Sequence, residues 1–277
     1  MTYNNLVTFI LCLFFTFEIT AQENTKTIYK APLIIGESVT LNSEVLKENR
    51  TLNIYLPHGY SADSTKTYPV IYLLDGSMDE DFIHIAGIVQ FGSFSWINML
   101  PESIVVGIAN TDRRRDFTYP TTITQDKKDL PTTGSSEEFI NFIETELQPF
   151  INSNYNVSDI KTIIGQSLGG LLATEILYKK PELFDNYIIV SPSLWWDNQS
   201  LLKLEPKTSV KEKKVFIAVG KEGEIMERDA KNLYTTLKTK TKEYIDLNFE
   251  FFEKQNHGDT LHLGVYAAFE ALFKMTE

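Results

Sequence analysis

The chain has 277 residues, 43% of them hydrophobic, which is enough for one large core, and its 23% of charged residues argues against global disorder. A formal charge of −11 argues against a nucleic-acid partner, which would call for a basic stripe, and gives no basis for binding an anionic membrane surface. The single cysteine, Cys12, sits near the amino terminus, so the rest of the chain has no disulfide framework, thiolate metal ligands or cysteine nucleophile.

Residues 6–17 are apolar except for Thr8, Cys12 and Thr16, a run shorter than the ~20 residues of a transmembrane helix. It leads to Ile19-Thr20-Ala21-Gln22, with a small residue before a cleavage point, and residues 1–21 are expected to be a secretory signal peptide. A secreted or periplasmic location follows, with no stable membrane insertion once the signal is removed. The alternative is an uncleaved N-terminal anchor, because the segment lacks Lys and Arg before its apolar run.

Residues 22–277 are expected to form one domain with a mobile leader over residues 22–33. Residues 36–45 and 50–56 alternate apolar with polar side chains, as half-buried antiparallel strands do. Residues 69–74 are nearly all apolar and predict a buried parallel strand ending at Asp75-Gly76. A helical period covers 79–91, a second buried strand 104–108, and then come Asp112, the run Arg113-Arg114-Arg115 and Asp116. A long polar stretch with Pro120, Pro131 and Gly134 predicts a loop, and a helix runs from about 135 to 151. Strands are expected at 160–164, 187–190, 215–219 and 247–252, with helices at 168–179, 227–238 and 261–274. Strands alternating with helices give an α/β fold with a mostly parallel sheet covered on both faces, and ligands sit beyond the carboxyl ends of its strands.

The chemistry centres on Gly165-Gln166-Ser167-Leu168-Gly169-Gly170, which fits Gly-x-Ser-x-Gly between a strand and a helix. That context is a nucleophile elbow, a strained turn that lifts Ser167 above the sheet edge, and side chains at Gly165 and Gly169 would collide with neighbouring strand and helix. Without the flanking strand and helix, Ser167 would be an ordinary helix cap. Serine needs an adjacent base. Of the four histidines, His257 follows the last strand, His58 and His84 precede the nucleophile, and His262 lies on the final helix. The order Ser, acid, His puts the carboxylate after the strand ending at Gly220, where Lys221-Glu222-Gly223-Glu224 offers two. Spacing and the following Ile225-Met226 favour Glu224, Glu222 is the alternative, and Asp197 is more remote. Oxyanion donors are expected at the Leu168 N–H and at Gly76 or Ser77. Arg113 and Arg115 offer guanidinium forks for a substrate carboxylate or phenolate, or pair with Asp112 or Asp116 to order the loop. Trp195 and Trp196 offer an aromatic pocket wall, or ordinary packing. No metal is expected, for lack of a Cys/His cluster, and no dinucleotide cofactor, for lack of a Gly-x-Gly-x-x-Gly loop after a strand.

Taken together, residues 50–60, 68–76, Val106 to Arg113, Arg115-Asp116-Phe117-Thr118-Tyr119-Pro120, 165–170, 191–196 and the His257 loop carry a family resemblance. The chain resembles the esterase family that includes esterase D-like enzymes, enterobactin-type siderophore esterases and some feruloyl esterases. The resemblance spans residues 36–273. It implies an α/β-hydrolase fold, a cofactor-free Ser-His-acid esterase with an acyl-enzyme intermediate, and a small-molecule ester substrate. It supports Ser167 and His257, and by analogy with catecholate binding Arg113 and Arg115. Two other functions fit the same fold: an acyltransferase resembling mycolyltransferases, and a non-catalytic binding protein.

Overall fold

The computed structural model describes residues 29–241 and 243–274, so the expected signal segment, residues 1–21, lies outside the described residues. From Ile34 the chain forms one compact unit. Its first strands, β1 (Gly36–Ser43) and β2 (Glu48–Tyr55), pair antiparallel from Gly36↔Tyr55 to Ser43↔Glu48. The second is more deeply buried than its alternation suggests: Leu52 to Tyr55 are all buried, and Asn53 tolerates this by donating to Gly76 O at 2.9 Å.

Next come β3 (Tyr68–Leu73), α1 (Phe82–Gly92) and β4 (Ile104–Ile108). The arginine run is not loop but the short helix α2 (Arg113–Phe117), started by Asp112, whose carboxylate accepts from Arg115 N at 3.1 Å. A second short helix, α3 (Thr124–Asp129), interrupts the polar stretch. The helix expected over 135–151 is present as α4 (Ser136–Phe142), a π-helical turn at Ile143–Leu147, and α5 (Gln148–Asn154). Pro149 explains the wide turn, because in a regular helix it lacks the N–H and its ring meets the carbonyl four residues back.

The remaining elements are β5 (Val157–Gln166), α6 (Leu168–Lys179), β6 (Asn186–Val190), β7 (Lys213–Gly220), α7 (Glu224–Lys240), β8 (Ile245–Phe252) and α8 (Thr260–Phe273). They complete an eight-stranded sheet in the order β1-β2-β4-β3-β5-β6-β7-β8, antiparallel at β1/β2 and β2/β4 and parallel elsewhere. The fold is the expected α/β architecture with a mostly parallel sheet.

Side chains alternate across the parallel strands, so each face has its own core. Ile71, Leu73, Ile164 and Ile188 pack with Phe82, Ile85 and Val89 of α1 and Leu261, Val265 and Phe269 of α8. Val70, Tyr72, Ile163 and Ile189 pack on the other face with Phe139, Ile143 and Leu147 and with Leu171, Leu172 and Ile176 of α6. Each such side chain contributes roughly 1.5–3 kcal/mol through burial. Every residue of α6 from Leu168 to Tyr178 is buried, as expected for a helix enclosed on all sides. The register aligns Gln166 with Val190, Val190 with Ala218 and Gly220 with Phe252, so the segments after β5, β6, β7 and β8 leave from one sheet edge. Among the described residues no helix is long and apolar enough to cross a membrane.

Candidate active site

Ser167 stands between β5 and α6 with φ 60° and ψ −119°. A non-glycine residue held there costs about 1–3 kcal/mol, which its surroundings must over-determine. They do so with backbone bonds: Ser167 N donates to Val190 O at 3.1 Å, and Ser167 O accepts from Leu171 N and Ser193 N, both at 2.9 Å. A Cβ on Gly165 would lie 2.3 Å from Gly169 O, so the strand can approach the helix only with glycine at 165. The collision expected at Gly169 is absent, since a Cβ there would meet Asp75 Oδ2 and Leu74 Cβ at an ordinary 3.4 Å.

His257 follows β8, with its side chain 46% exposed and its Nδ1 2.5 Å from Glu222 Oε2. The carboxylate facing the histidine is therefore Glu222, correcting the expectation of Glu224. Gly223, at φ 94°, turns the chain so that Glu224 becomes the first residue of α7, exposed and suited to the positive end of that helix. Glu222 is 1% exposed at its side chain, and its Oε1 accepts from Gly220 N at 2.9 Å and from Ser191 Oγ. Burial works against the charged form of Glu222, but the bonds from His257, Ser191 and Gly220 outweigh it and hold the carboxyl below its ordinary 4.5. Asp197 is held elsewhere, accepting from Thr122 N at 2.6 Å and from Thr121 Oγ1 at 3.0 Å.

Ser167 Oγ lies 3.2 Å from Ser193 Oγ, and no hydrogen bond joins it to His257 in this structure. Such nucleophile–base bonds are commonly long or poorly aligned before substrate binds. Gln166 Nε2 nevertheless ties the two segments together by donating to His257 O at 2.6 Å.

Leu168 is the first residue of α6, so its N–H has no partner within the helix. Gly76 is not a free donor: its N–H goes to Ile108 O at 3.0 Å, and a Cβ there would lie 2.3 Å from Gly107 Cα. The Ser77 N–H, one residue on, donates to no protein acceptor among the described residues. Of the two positions open in the sequence, the geometry leaves Ser77.

The arginines are largely committed to protein partners. Arg113 Nε donates to Asp75 Oδ1 at 2.6 Å, and its Nη2 to Asp75 Oδ2 at 2.9 Å and Gln166 O at 3.2 Å. It thus binds the end of β3 to the residue before Ser167, through a partner 38 positions away that charge pattern alone did not single out. Arg115 is turned to Glu48 and Asp116, with Nη1 3.0 Å from Glu48 Oε2 and Nε 2.8 Å from Asp116 Oδ1. This corrects its expected place as a substrate contact. Trp196 is fully buried and donates to Tyr119 O at 2.9 Å, so it packs rather than walls a pocket, whereas Trp195 is 36% exposed. His84 pairs edge-on with His262 at 5.1 Å between ring centroids. The residues missed in the sequence are Asp75, Gln166, Ser191 and Ser193. All four lie inside the motifs quoted for the resemblance, which was the available signal. Among the described residues no group of three or more His, Cys, Asp or Glu could hold a metal ion.

The family model described as "Putative esterase" matches residues 43–266. The chain is 34% identical over 169 residues to the ferri-bacillibactin esterase BesA of Bacillus subtilis (strain 168), covering 56% of this chain and 58% of that relative's length. It is similar to a solved IroE-like serine hydrolase from Shewanella oneidensis, with TM-score 0.79 and 32% identity, covering 86% of this chain and 80% of that one. It is also similar to the solved BES protein from Bacillus cereus, with TM-score 0.79 and 28% identity over 90% of this chain and 99% of that one.

Proposed function

Because the chain belongs to the Putative esterase family, we propose that it is a serine carboxylic-ester hydrolase acting on siderophore-type esters through Ser167, His257 and Glu222. The observation that carries this reading is the 2.5 Å contact of His257 Nδ1 with a buried carboxylate, on the sheet edge where the strained Ser167 stands. A carboxylate on Nδ1 leaves Nε2 as the basic nitrogen and stabilises the imidazolium that forms.

His257 Nε2 takes the Ser167 proton as Oγ attacks the ester carbonyl, and returns it to the leaving alcohol. Water, activated by the same nitrogen, then releases the acid from the acyl-enzyme. The N–H groups of Leu168 and Ser77 meet the carbonyl oxygen as it becomes negative. Trp195 supplies an exposed aromatic face two residues beyond Ser193. The substrate class rests on the relative named as a ferri-bacillibactin esterase.

A fluorophosphonate probe is expected to label Ser167, and catecholate trilactones are expected to be turned over faster than simple acetyl or feruloyl esters. Peptide mapping locates the label, with Ser167→Ala as the control. A label that persists in Ser167→Ala would mean that the nucleophile is another residue.

A further inference from the structure

Ser193 is buried, 2% exposed, with its hydroxyl 3.2 Å from Ser167 Oγ. A buried hydroxyl whose proton finds no acceptor costs about 1–3 kcal/mol. Ser167 Oγ is the one partner recorded for the Ser193 hydroxyl among the described residues. In the mechanism proposed above the Ser167 proton goes to His257, so it is not available to Ser193. Either hydroxyl can be the donor as the two stand here, and once Ser167 donates to His257 Nε2 in the substrate complex the arrangement that satisfies both groups has Ser193 donating and Ser167 Oγ accepting.

We propose that Ser193 is a further catalytic residue, whose hydroxyl donates to Ser167 Oγ and stabilises the negative charge that this oxygen carries at both ends of acyl transfer. The proposal rests on the reading of Ser167 as nucleophile.

The backbone holds the two oxygens together. Ser193 N donates to Ser167 O at 2.9 Å, Ser167 N to Val190 O at 3.1 Å, and Ser191 N to Ala218 O at 2.7 Å. Gly170 makes room for this turn, since a Cβ there would lie 3.0 Å from both Pro192 Cα and Val190 O. Ser191, at φ 45°, sends its own hydroxyl to Glu222, so the three-residue turn touches the nucleophile with one serine and the acid with the other.

In acylation the Oγ–carbon bond forms as the Ser167 proton passes to His257 Nε2, and Oγ gains charge ahead of bond formation. In deacylation a water oxygen bonds to the carbonyl carbon, giving its proton to His257. The carbon–Oγ bond then breaks, and Oγ leaves as an alkoxide that recovers the proton from the same nitrogen. A donor fixed at Oγ meets charge in both steps, whereas the Leu168 and Ser77 N–H groups serve the carbonyl oxygen.

The test compares wild type, Ser193→Ala and Ser193→Cys in fluorophosphonate labelling rate, in kcat and KM for p-nitrophenyl acetate, and in melting temperature. Ser193→Ala is expected to lower the labelling rate and kcat by roughly 10- to 100-fold with KM little changed, the worth of one hydrogen bond to a group that becomes charged. Ser193→Cys, close in size but a weaker donor, is expected to fall between the two and serves alone if the alanine variant does not fold. A labelled wild type whose Ser193→Ala or Ser193→Cys variant reacts at the same rate or faster overturns this proposal alone. A wild type that is never labelled overturns both it and the hydrolase reading.

Discussion

Glu222 and Glu224 differ by two positions and by almost everything else that matters to a carboxylate. The first is 1% exposed at its side chain and bonded to His257, Ser191 and Gly220, and the second is exposed at the start of α7. Glu222→Gln is expected to lower kcat by about 10²- to 10⁴-fold, because the amide presents the wrong partner to His257 Nδ1 and leaves the imidazolium unsupported. Glu224→Gln is expected to change kcat by less than about 2-fold, since an exposed carboxylate at a helix start is worth only a few tenths of a kcal/mol. Steady-state kinetics on one aryl ester decides between them, and equal losses would remove Glu222 from its assigned place. The depressed pKa of Glu222 also has a sign. A carboxyl held below its unfolded value adds stability that is present above that value and is lost as pH falls through the folded one. The link between acid and base therefore persists at pH values where an ordinary glutamate is already taking up a proton.

At the scale of elements, a buried charge network joins β2 to α2. Arg50, with a side chain 0% exposed, donates from Nη1 to Asp116 Oδ2 at 2.7 Å and to Glu48 Oε1 at 2.8 Å, while Arg115 reaches the same two carboxylates from the solvent side. Asp116→Ala is expected to cost about 3–5 kcal/mol, because Arg50 loses its fully buried counter-charge, whereas Arg115→Ala, on the 29% exposed side, should cost only about 1 kcal/mol. Urea unfolding measures both, and similar costs would mean that the buried pair carries no special weight. The same network shows how much was legible in the sequence. Strand and helix order, Ser167 and His257 follow from local patterns, because the periodicity and the elbow glycines are properties of neighbouring residues. The pairing of Arg115 with its neighbour Asp116 was also open in the sequence, whereas the partner of Arg113 and the second partner of Arg115 were not, since Asp75 and Glu48 are brought to them by the pairing of β3 and β2 with β4. The choice between Glu222 and Glu224 turned on the positive φ of Gly223, which decides where α7 begins, and spacing alone pointed to the wrong side of that glycine.

For the molecule as a whole, the formal charge of −11 means that acidic groups repel one another in the folded state. Asp81 at the start of α1 shows this locally: burial, then Asp75 and Glu80, push its carboxyl up to about 6, against the pull of Arg113 and His262. A raised folded pKa favours the native state at low pH, and that favour is lost as pH rises from 3.8 through about 6. Asp81→Asn is therefore expected to stabilise the protein at about pH 7.5 by about 1 kcal/mol after solvent screening, with a smaller gain at about pH 4.5. Thermal unfolding at the two pH values checks this, and an equal gain at both would show that the charge is not the cause. The tie between Gln166 and His257 joins residues 91 positions apart. On the ribosome, that separation is a delay of roughly five to twenty seconds between emergence of the elbow and of the proposed base. A nascent chain thus carries Ser167 for that time without His257, and the proposed ester cleavage would begin only once β8 and the His257 loop have joined the sheet, however early the elbow itself is fixed by Val190 and Ser193.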